Sequence, residues 1–174
     1  MFKNRQQLID NASTEKFRKM RDDALTVMEA AINAVDPKNA VMEKLQLIDG
    51  NVVVDGFTKP LDDVRRVLVV GGGKAGGPMA EAVEEILGDR VEEGVVNILG
   101  GTEALYHVNR VKLNRASHPV PDDEGAKGVR DMMKLTSNLS PDDLVLALIS
   151  GGGSALMPLP ADGVSLEDIQ DVTR

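Results

Sequence analysis

Apolar residues along this chain follow two rhythms, and the change between them outlines the architecture. Near the start, Phe17, Met20, Ala24, Val27, Met28, Ala31 and Val35 recur at three- and four-residue steps, the stripe of an amphipathic helix. Ser13 or Thr14 is placed to cap that helix, and core packing is the ordinary use of such a face. Asp36-Pro37 ends it and starts a short second helix, with Asp36 as N-cap and Pro37 in the first turn. Leu47 to Val54 then carries an Asp49-Gly50 turn between two apolar arms, which predicts a small antiparallel hairpin.

From Val67 onward the apolar positions run together instead of alternating. Val67–Val70, Gly94–Leu99, Val111–Ala116 and Leu144–Ile149 read as strands buried on both faces, the pattern of a parallel sheet covered by helices. Between them, Met79, Ala82, Val83 and Ile86 mark a helix stopped at Gly88, and Asp122 can cap another whose inner face is Val129, Met132, Met133 and Thr136. Two prolines at alternate positions, Pro119 and Pro121, forbid helix between Ser117 and Asp122. Ser165-Leu-Glu-Asp168 is a capping box opening a final helix with Ile169 and Val172. The expected fold is α/β: a mainly parallel sheet between helices, with a small N-terminal β-hairpin.

Two of the strands run into glycine turns. Val67–Val70 leads into Gly71-Gly72-Gly73-Lys74-Ala75-Gly76, and Leu144–Ile149 into Ser150-Gly151-Gly152-Gly153-Ser154. Strand, glycine turn, helix is an arrangement that aims backbone N–H groups at an anion, and Lys74 adds a full positive charge. If the strands are parallel in one sheet, both turns emerge at its carboxyl edge, where ligands of open α/β sheets bind. The first turn also fits G-x-G-x-x-G, the dinucleotide fingerprint. The next strand, however, ends Asn97-Ile-Leu-Gly-Gly with no acid for a ribose, and Glu103 lies further out. The first turn is not a Walker A loop, since Lys74 lacks the four-residue spacing and the following Ser or Thr, and Gly152-Gly-Ser154-Ala-Leu156 breaks the nucleophile-elbow pattern. A hydroxyl helping amides hold phosphate or carboxylate suits Ser154 better.

Composition narrows the candidates. With 174 residues and 42% apolar content the chain can bury one real core. The absence of cysteine removes disulfides, thiolate zinc sites and a thiol nucleophile. A net charge of −8 and 2% aromatic residues argue against general nucleic-acid binding. The N-terminus is polar and no apolar run approaches a membrane span, so a soluble, cytoplasmic protein without membrane partners is the expectation.

Three motifs in order carry a resemblance. They are Gly73-Lys74-Ala75 with Met79-Ala80 downstream, His118-Pro-Val-Pro-Asp122-Asp-Glu-Gly125, and Asp143-Leu-Val through Ser150-Gly-Gly-Gly-Ser-Ala-Leu156. With the tail from Pro160 through Ser165-Leu-Glu-Asp168 to Thr173-Arg174, they resemble the glycerate 2-kinase family from the first helix to the last residue. The resemblance implies a Rossmann-like sandwich, residues 1–174, forming the N-terminal domain of a two-domain enzyme. It implies phosphorylation of D-glycerate to 2-phosphoglycerate by ATP and Mg2+, in a cleft against a C-terminal domain absent from this chain. On that reading Lys74 neutralises phosphate charge as the catalytic residue. Gly72, Gly73 and Ser150, Gly151, Gly152, Gly153 and Ser154 seat phosphate or glycerate carboxylate. His118 and Asp122 line the cleft, and metal ligands are unassigned. Two other readings remain open on the residues alone: a nicotinamide-dependent hydroxypyruvate or glycerate reductase fragment, and a non-catalytic sugar-phosphate or nucleotide-binding module. The final helix leaves apolar surface that would favour self-association, so a homo-oligomer is a possible partner arrangement.

Overall fold

A computed structural model describes residues 2–174. Its centre is a four-stranded parallel sheet of β4 (Arg66–Gly72), β5 (Val91–Leu99), β6 (Val111–Ala116) and β7 (Asp143–Ile149). They are preceded by helices α1 (Arg5–Asp10), α2 (Glu15–Asn33) and α3 (Pro37–Lys44) and strands β1 (Leu45–Ile48), β2 (Asn51–Val54) and β3 (Phe57–Pro60). The parallel strands lie side by side in the order β6-β5-β4-β7. The chain therefore steps outward from β4 to β6 and returns to the other side of β4. That reversal makes the β4/β7 boundary the topological switch point, the place where a crevice opens at the carboxyl edge of such sheets.

Two helices cover opposite faces of the sheet. α4 (Gly76–Leu87) links β4 to β5 and packs over Val96 and Ile98, close enough that a Cβ on Gly76 would stand 2.8 Å from Val96 Cγ1. α5 (Asp123–Leu135) links β6 to β7 and lies over Asn97, the intervening residue whose side chain points the other way. Val67, Val69, Val83, Val91, Val96 and Ile98 close the core on the α4 face and are almost wholly enclosed. Removing such a side chain in a large-to-alanine change typically costs about 2–5 kcal/mol. Thr14, Asp36, Asp122 and Ser165 cap their helices as the residue pattern predicts, the last through a reciprocal box with Asp168. α6 (Gly153–Leu156) and α7 (Leu166–Thr173) complete the chain. No helix among the described residues is long and apolar enough to cross a membrane.

Three expectations change. The hairpin gains a third strand: Asp55-Gly56 makes a second turn with both residues at positive φ, and β2 pairs antiparallel with β3 as well as β1. A segment containing Lys59 and Pro60 reads poorly as strand, yet an edge position tolerates both. The apolar stripe on α2 is not core. Phe17, Met20, Val27, Met28 and Val35 are all exposed, and only Leu25 of that helix is buried. α2 is held instead by α1, where Arg5 pairs with Asp22 and Glu29. The inner face of α5 is Gly125, Ala126, Gly128 and Met132; Met133 points outward. Small residues win there because the helix sits directly on two buried asparagines. Val172 of α7 is 90% exposed, in keeping with the uncovered apolar surface expected there.

At the amino edge of the sheet, Asp143 is enclosed by two arginines. Arg65 and Arg66 each grip the carboxylate through Nε and Nη2, at 2.6–3.1 Å, and the Ser140 N–H donates at 2.8 Å. The side chain itself is fully covered. Hydrogen bonds from Arg66, then Arg65, hold its carboxyl well below the usual carboxylate range. An unfolded chain takes up a proton at an aspartate near pH 3.9, roughly, whereas the native one does not. The stability this pair of grips supplies is therefore complete above the unfolded value and drains away as pH falls below it. Asp143→Asn should lower stability at neutral pH and flatten the acid limb. Urea unfolding followed from neutral pH down to about pH 3 checks both; an acid limb as steep as wild type would assign the acid sensitivity to other groups.

Candidate functional site at the switch point

The two glycine turns meet at the β4/β7 boundary. Gly72 pairs with Ile149 at the last rung of the ladder, and beyond it the turns cross. Ser150 N donates to Gly72 O (3.3 Å), Lys74 N to Gly151 O (2.9 Å), and Ala75 N to the Ser150 hydroxyl (3.1 Å). Gly73 N donates to Asn97 O at 3.1 Å. The crossing requires missing side chains. Gly73 has φ +141, and a Cβ there would collide with the Ser150 hydroxyl; one on Gly72 would press on Met157.

This geometry divides the labour between the turns differently from what the glycine pattern suggests. The amides of Gly73, Lys74, Ala75 and Gly76 all donate within the protein, to Asn97 O, Gly151 O, the Ser150 hydroxyl and Gly73 O. The G-x-G-x-x-G run thus offers none of these four donors to a pyrophosphate, and Tyr106 packs over Gly77 where the helix begins. Gly72, Gly73 and Ser150 serve to lock the turns together. The second turn is the open one. Among the described residues, no acceptor meets the amides of Gly151, Gly152, Gly153 or Ser154, and Gly151 and Ser154 are exposed.

Side chains converge on that open turn. Lys74 is exposed, and a Cβ built on Gly152 would stand 3.2 Å from Lys74 Cγ, Lys74 Cε and His118 Cδ2 alike. Lys74 and His118, 44 residues apart in sequence, thus flank one glycine. His118 enters the site on the Ser117–Pro121 loop after β6, with a cis bond to Pro119. On its far side a depression of about 360 Å3 is lined by Gly100, Gly101, Arg115, His118 and Asp122. One Asp122 oxygen is committed to capping α5, accepting from Gly125 N at 2.8 Å. Arg115 was not singled out by sequence; its place just before Ala116-Ser117-His118, at the carboxyl end of a strand, is the signal that marks it.

A larger cavity, about 720 Å3, lies away from the switch point beside Glu81, Glu84, His107 and Arg110. Its acids are engaged: Glu84 accepts from the amides of Asn109, Arg110 and Val111, and Glu81 from that of His107. No group of three or more His, Asp or Glu side chains gathers as a metal site among the described residues.

Beneath the turns are two buried polar residues that strand periodicity had hidden. Asn97 of β5 is fully enclosed and Asn114 of β6 nearly so. Asn97 Nδ2 donates to Gly125 O (2.8 Å) and Leu156 O (2.6 Å), while Asn114 Nδ2 donates to Asn97 Oδ1 (2.9 Å) and Glu124 O (2.9 Å). A polar amide in the middle of Val95-Val-Asn-Ile-Leu99 is the available sequence signal, since buried polar groups are kept only where they are bonded.

The fold is a doubly wound α/β domain whose carboxyl edge carries a lysine, a histidine and a turn of four amides that meet no acceptor among the described residues. Residues 23–174 match the family described as a domain of unknown function, DUF4147, and the chain belongs to that family, the N-terminal domain of the glycerate kinases. The chain is 37% identical over 155 residues to a glycerate 2-kinase of Pyrococcus horikoshii, covering 88% of this chain and 34% of that protein. It is 38% identical over 150 residues to a D-glycerate 2-kinase of Thermotoga maritima, covering 86% and 32% respectively. The crystal structure of a Thermotoga maritima glycerate kinase superposes with a TM-score of 0.68 at 35% identity, over 86% of this chain and 32% of that one. The chain spans about a third of the length of these relatives.

The position of Gly152 gives a direct test of the geometry. Its φ of +89 is left-handed, and its missing side chain makes room for Lys74 and His118. Gly152→Ala should cost about 1–2 kcal/mol from backbone strain alone and shift the His118 ring resonances. Urea unfolding and histidine NMR measure the two effects; unchanged ring signals would mean that His118 does not abut this turn.

Proposed function

We propose that this domain is one wall of a D-glycerate 2-kinase, transferring the γ-phosphoryl group of ATP to the C2 hydroxyl of glycerate. The observation that carries the reading is the convergence of Lys74 and His118 on Gly152, beside four amides with no partner among the described residues. Similarity to enzymes named glycerate 2-kinase supports the choice of reaction.

Phosphoryl transfer asks little covalent chemistry of a protein; it asks for alignment and charge neutralisation. Lys74 supplies a mobile positive charge for the transferring group. The amides of Gly151, Gly152 and Gly153, with the amide and hydroxyl of Ser154, seat an oxyanion, either a phosphate or the glycerate carboxylate. His118 flanks Gly152 from the β6 side, and Asp122 and Arg115 line the adjoining depression on its far side. The C2 hydroxyl gives up its proton to solvent as its oxygen bonds to phosphorus, and the bridging P–O bond breaks with its electron pair leaving on ADP. Mg2+ usually keeps much of its water and would be carried in on the nucleotide phosphates, where it would neutralise their charge; no group of three or more His, Asp or Glu side chains gathers as a metal site among the described residues. The facing wall belongs to a C-terminal domain, as the one-third coverage of the relatives suggests. A cytoplasmic location completes this reading.

Two measurements test it. In the complete enzyme, Lys74→Met should lower turnover about a hundredfold or more, as loss of one electrostatic stabiliser commonly does, with the fold intact because Lys74 is exposed. Near-normal turnover by the folded variant would remove Lys74 from the chemistry. Residues 1–174 alone should form no phosphoglycerate from glycerate and ATP, since one wall neither excludes water nor aligns donor with acceptor. Robust turnover by this stretch alone would overturn the two-wall arrangement, and NADH-dependent reduction of hydroxypyruvate by the complete enzyme would replace the kinase reading.

A further inference from the structure

We propose that Asn97 is the positioning residue of the site: one buried amide that sets the spacing between the Lys74 turn, the Gly151–Ser154 turn and the His118–Asp122 segment. The proposal rests on the kinase reading for its consequence in turnover, and on geometry for its existence.

The main-chain oxygen and the side-chain nitrogen of Asn97 together reach three different pieces of the site. Its main-chain oxygen accepts from Gly73 N, at the neck of the Lys74 turn. One Nδ2 hydrogen goes to Leu156 O, the last carbonyl of α6, the short helix into which the Gly151–Ser154 turn runs. The other goes to Gly125 O in the first turn of α5, three residues beyond Asp122 and directly after the His118 loop. Its Oδ1 is filled by Asn114, so the amide has a single orientation that satisfies all partners. The surroundings are built to admit it. A Cβ on Gly128 would collide with Asn97 Oδ1 and crowd Asn114 Nδ2, so the glycine lets α5 settle onto the pair. None of these bonds touches the ligand edge directly. Their joint effect is to hold three ligand-bearing segments, drawn from the ends of β4, β6 and β7, at one separation.

No hydrophobic residue can do this, and neither can a carboxylate. Leucine leaves the carbonyls of Gly125 and Leu156 unpaired in the interior. An ionised aspartate of the same size turns an acceptor toward each of them. Either change lets the two turns drift relative to each other, and misplacement on the ångström scale costs about a hundredfold in rate.

The test uses the complete enzyme and three variants. Asn97→Asp and Asn97→Leu should lower kcat about a hundredfold while the KM values for glycerate and ATP stay within about threefold, because the oxyanion seat within one turn is intact and only its alignment with Lys74 is lost. Asn114→Ala removes a neighbouring buried amide and should also lower the melting temperature. It leaves both Asn97 Nδ2 bonds in place, so kcat should stay within about threefold of wild type. A purely structural Asn97 predicts instead that kcat follows stability in all three, and equal kcat losses at equal melting-temperature losses would overturn the proposal. Wild-type kcat in folded Asn97→Asp would overturn it too. Should Asn97→Asp fail to fold, Gly128→Ala, which pushes on Oδ1 without removing the amide, should give the same kcat-selective loss, and a wild-type kcat there counts against it. If the wild-type enzyme phosphorylates nothing, the kinase reading falls, and the positioning role is read from amide NMR shifts instead. Those of Gly73, Gly151 and Gly152 should move together in the Asn97 variants and remain in place in Asn114→Ala; shifts that stay put in the Asn97 variants refute the role.

Discussion

The whole arrangement depends on two glycine turns being able to touch. β4 and β7 are neighbours in the sheet, and each ends in a run of glycine, so their backbones cross at hydrogen-bond distance. A Cβ on Gly71 would run into the Leu148 carbonyl and one on Gly73 into the Ser150 hydroxyl. With side chains there the strands could not be adjacent to their ends, and Lys74 would not lie beside Gly152. The same closeness has a chemical consequence: the first turn spends its amides on the second, and so leaves the second with amides to offer. On the proposed reading, anion binding at this edge falls to Gly151–Ser154, while the first turn contributes the Lys74 side chain.

The parts of the fold that were legible in the sequence were those governed by local rules. Continuous apolar runs marked the four parallel strands, and Thr14, Asp36, Asp122 and Ser165 marked helix starts because a capping oxygen must lie next to the N–H it serves. Where local rules compete with tertiary placement, the reading failed. The stripe from Phe17 to Val35 has the spacing of a buried face but meets no sheet, and periodicity reports what a helix could bury, not what lies opposite it. The inner face of α5 follows Gly125 and Gly128 rather than Met133 because two asparagines stand beneath it.

The candidate site was legible as a set of residues but not as a set of roles. Lys74, His118, Asp122 and the second glycine turn do gather at one edge. Whether a given amide is free, however, depends on what crosses it in space, which no spacing along the chain reveals. Ser150 illustrates this: its hydroxyl looks available beside three glycines, yet it accepts the Ala75 N–H and is part of the lock. Asn97 is the complementary case, a residue with no motif around it, three of whose bonds reach three distant segments.

β7 lies at the rim of the sheet, paired on one side with β4. In a parallel strand successive N–H groups point alternately to its two neighbours. Along Leu144–Ile149, every second amide is therefore locked into β4 and the ones between look outward. Hydrogen exchange in this strand acquires a period of two: slow sites that open only with the core alternate with sites that exchange from the native state. The central strand β4, bonded on both sides, has no such alternation. A residue-resolved exchange trace thus separates the edge strands of the sheet from the strands bonded on both sides.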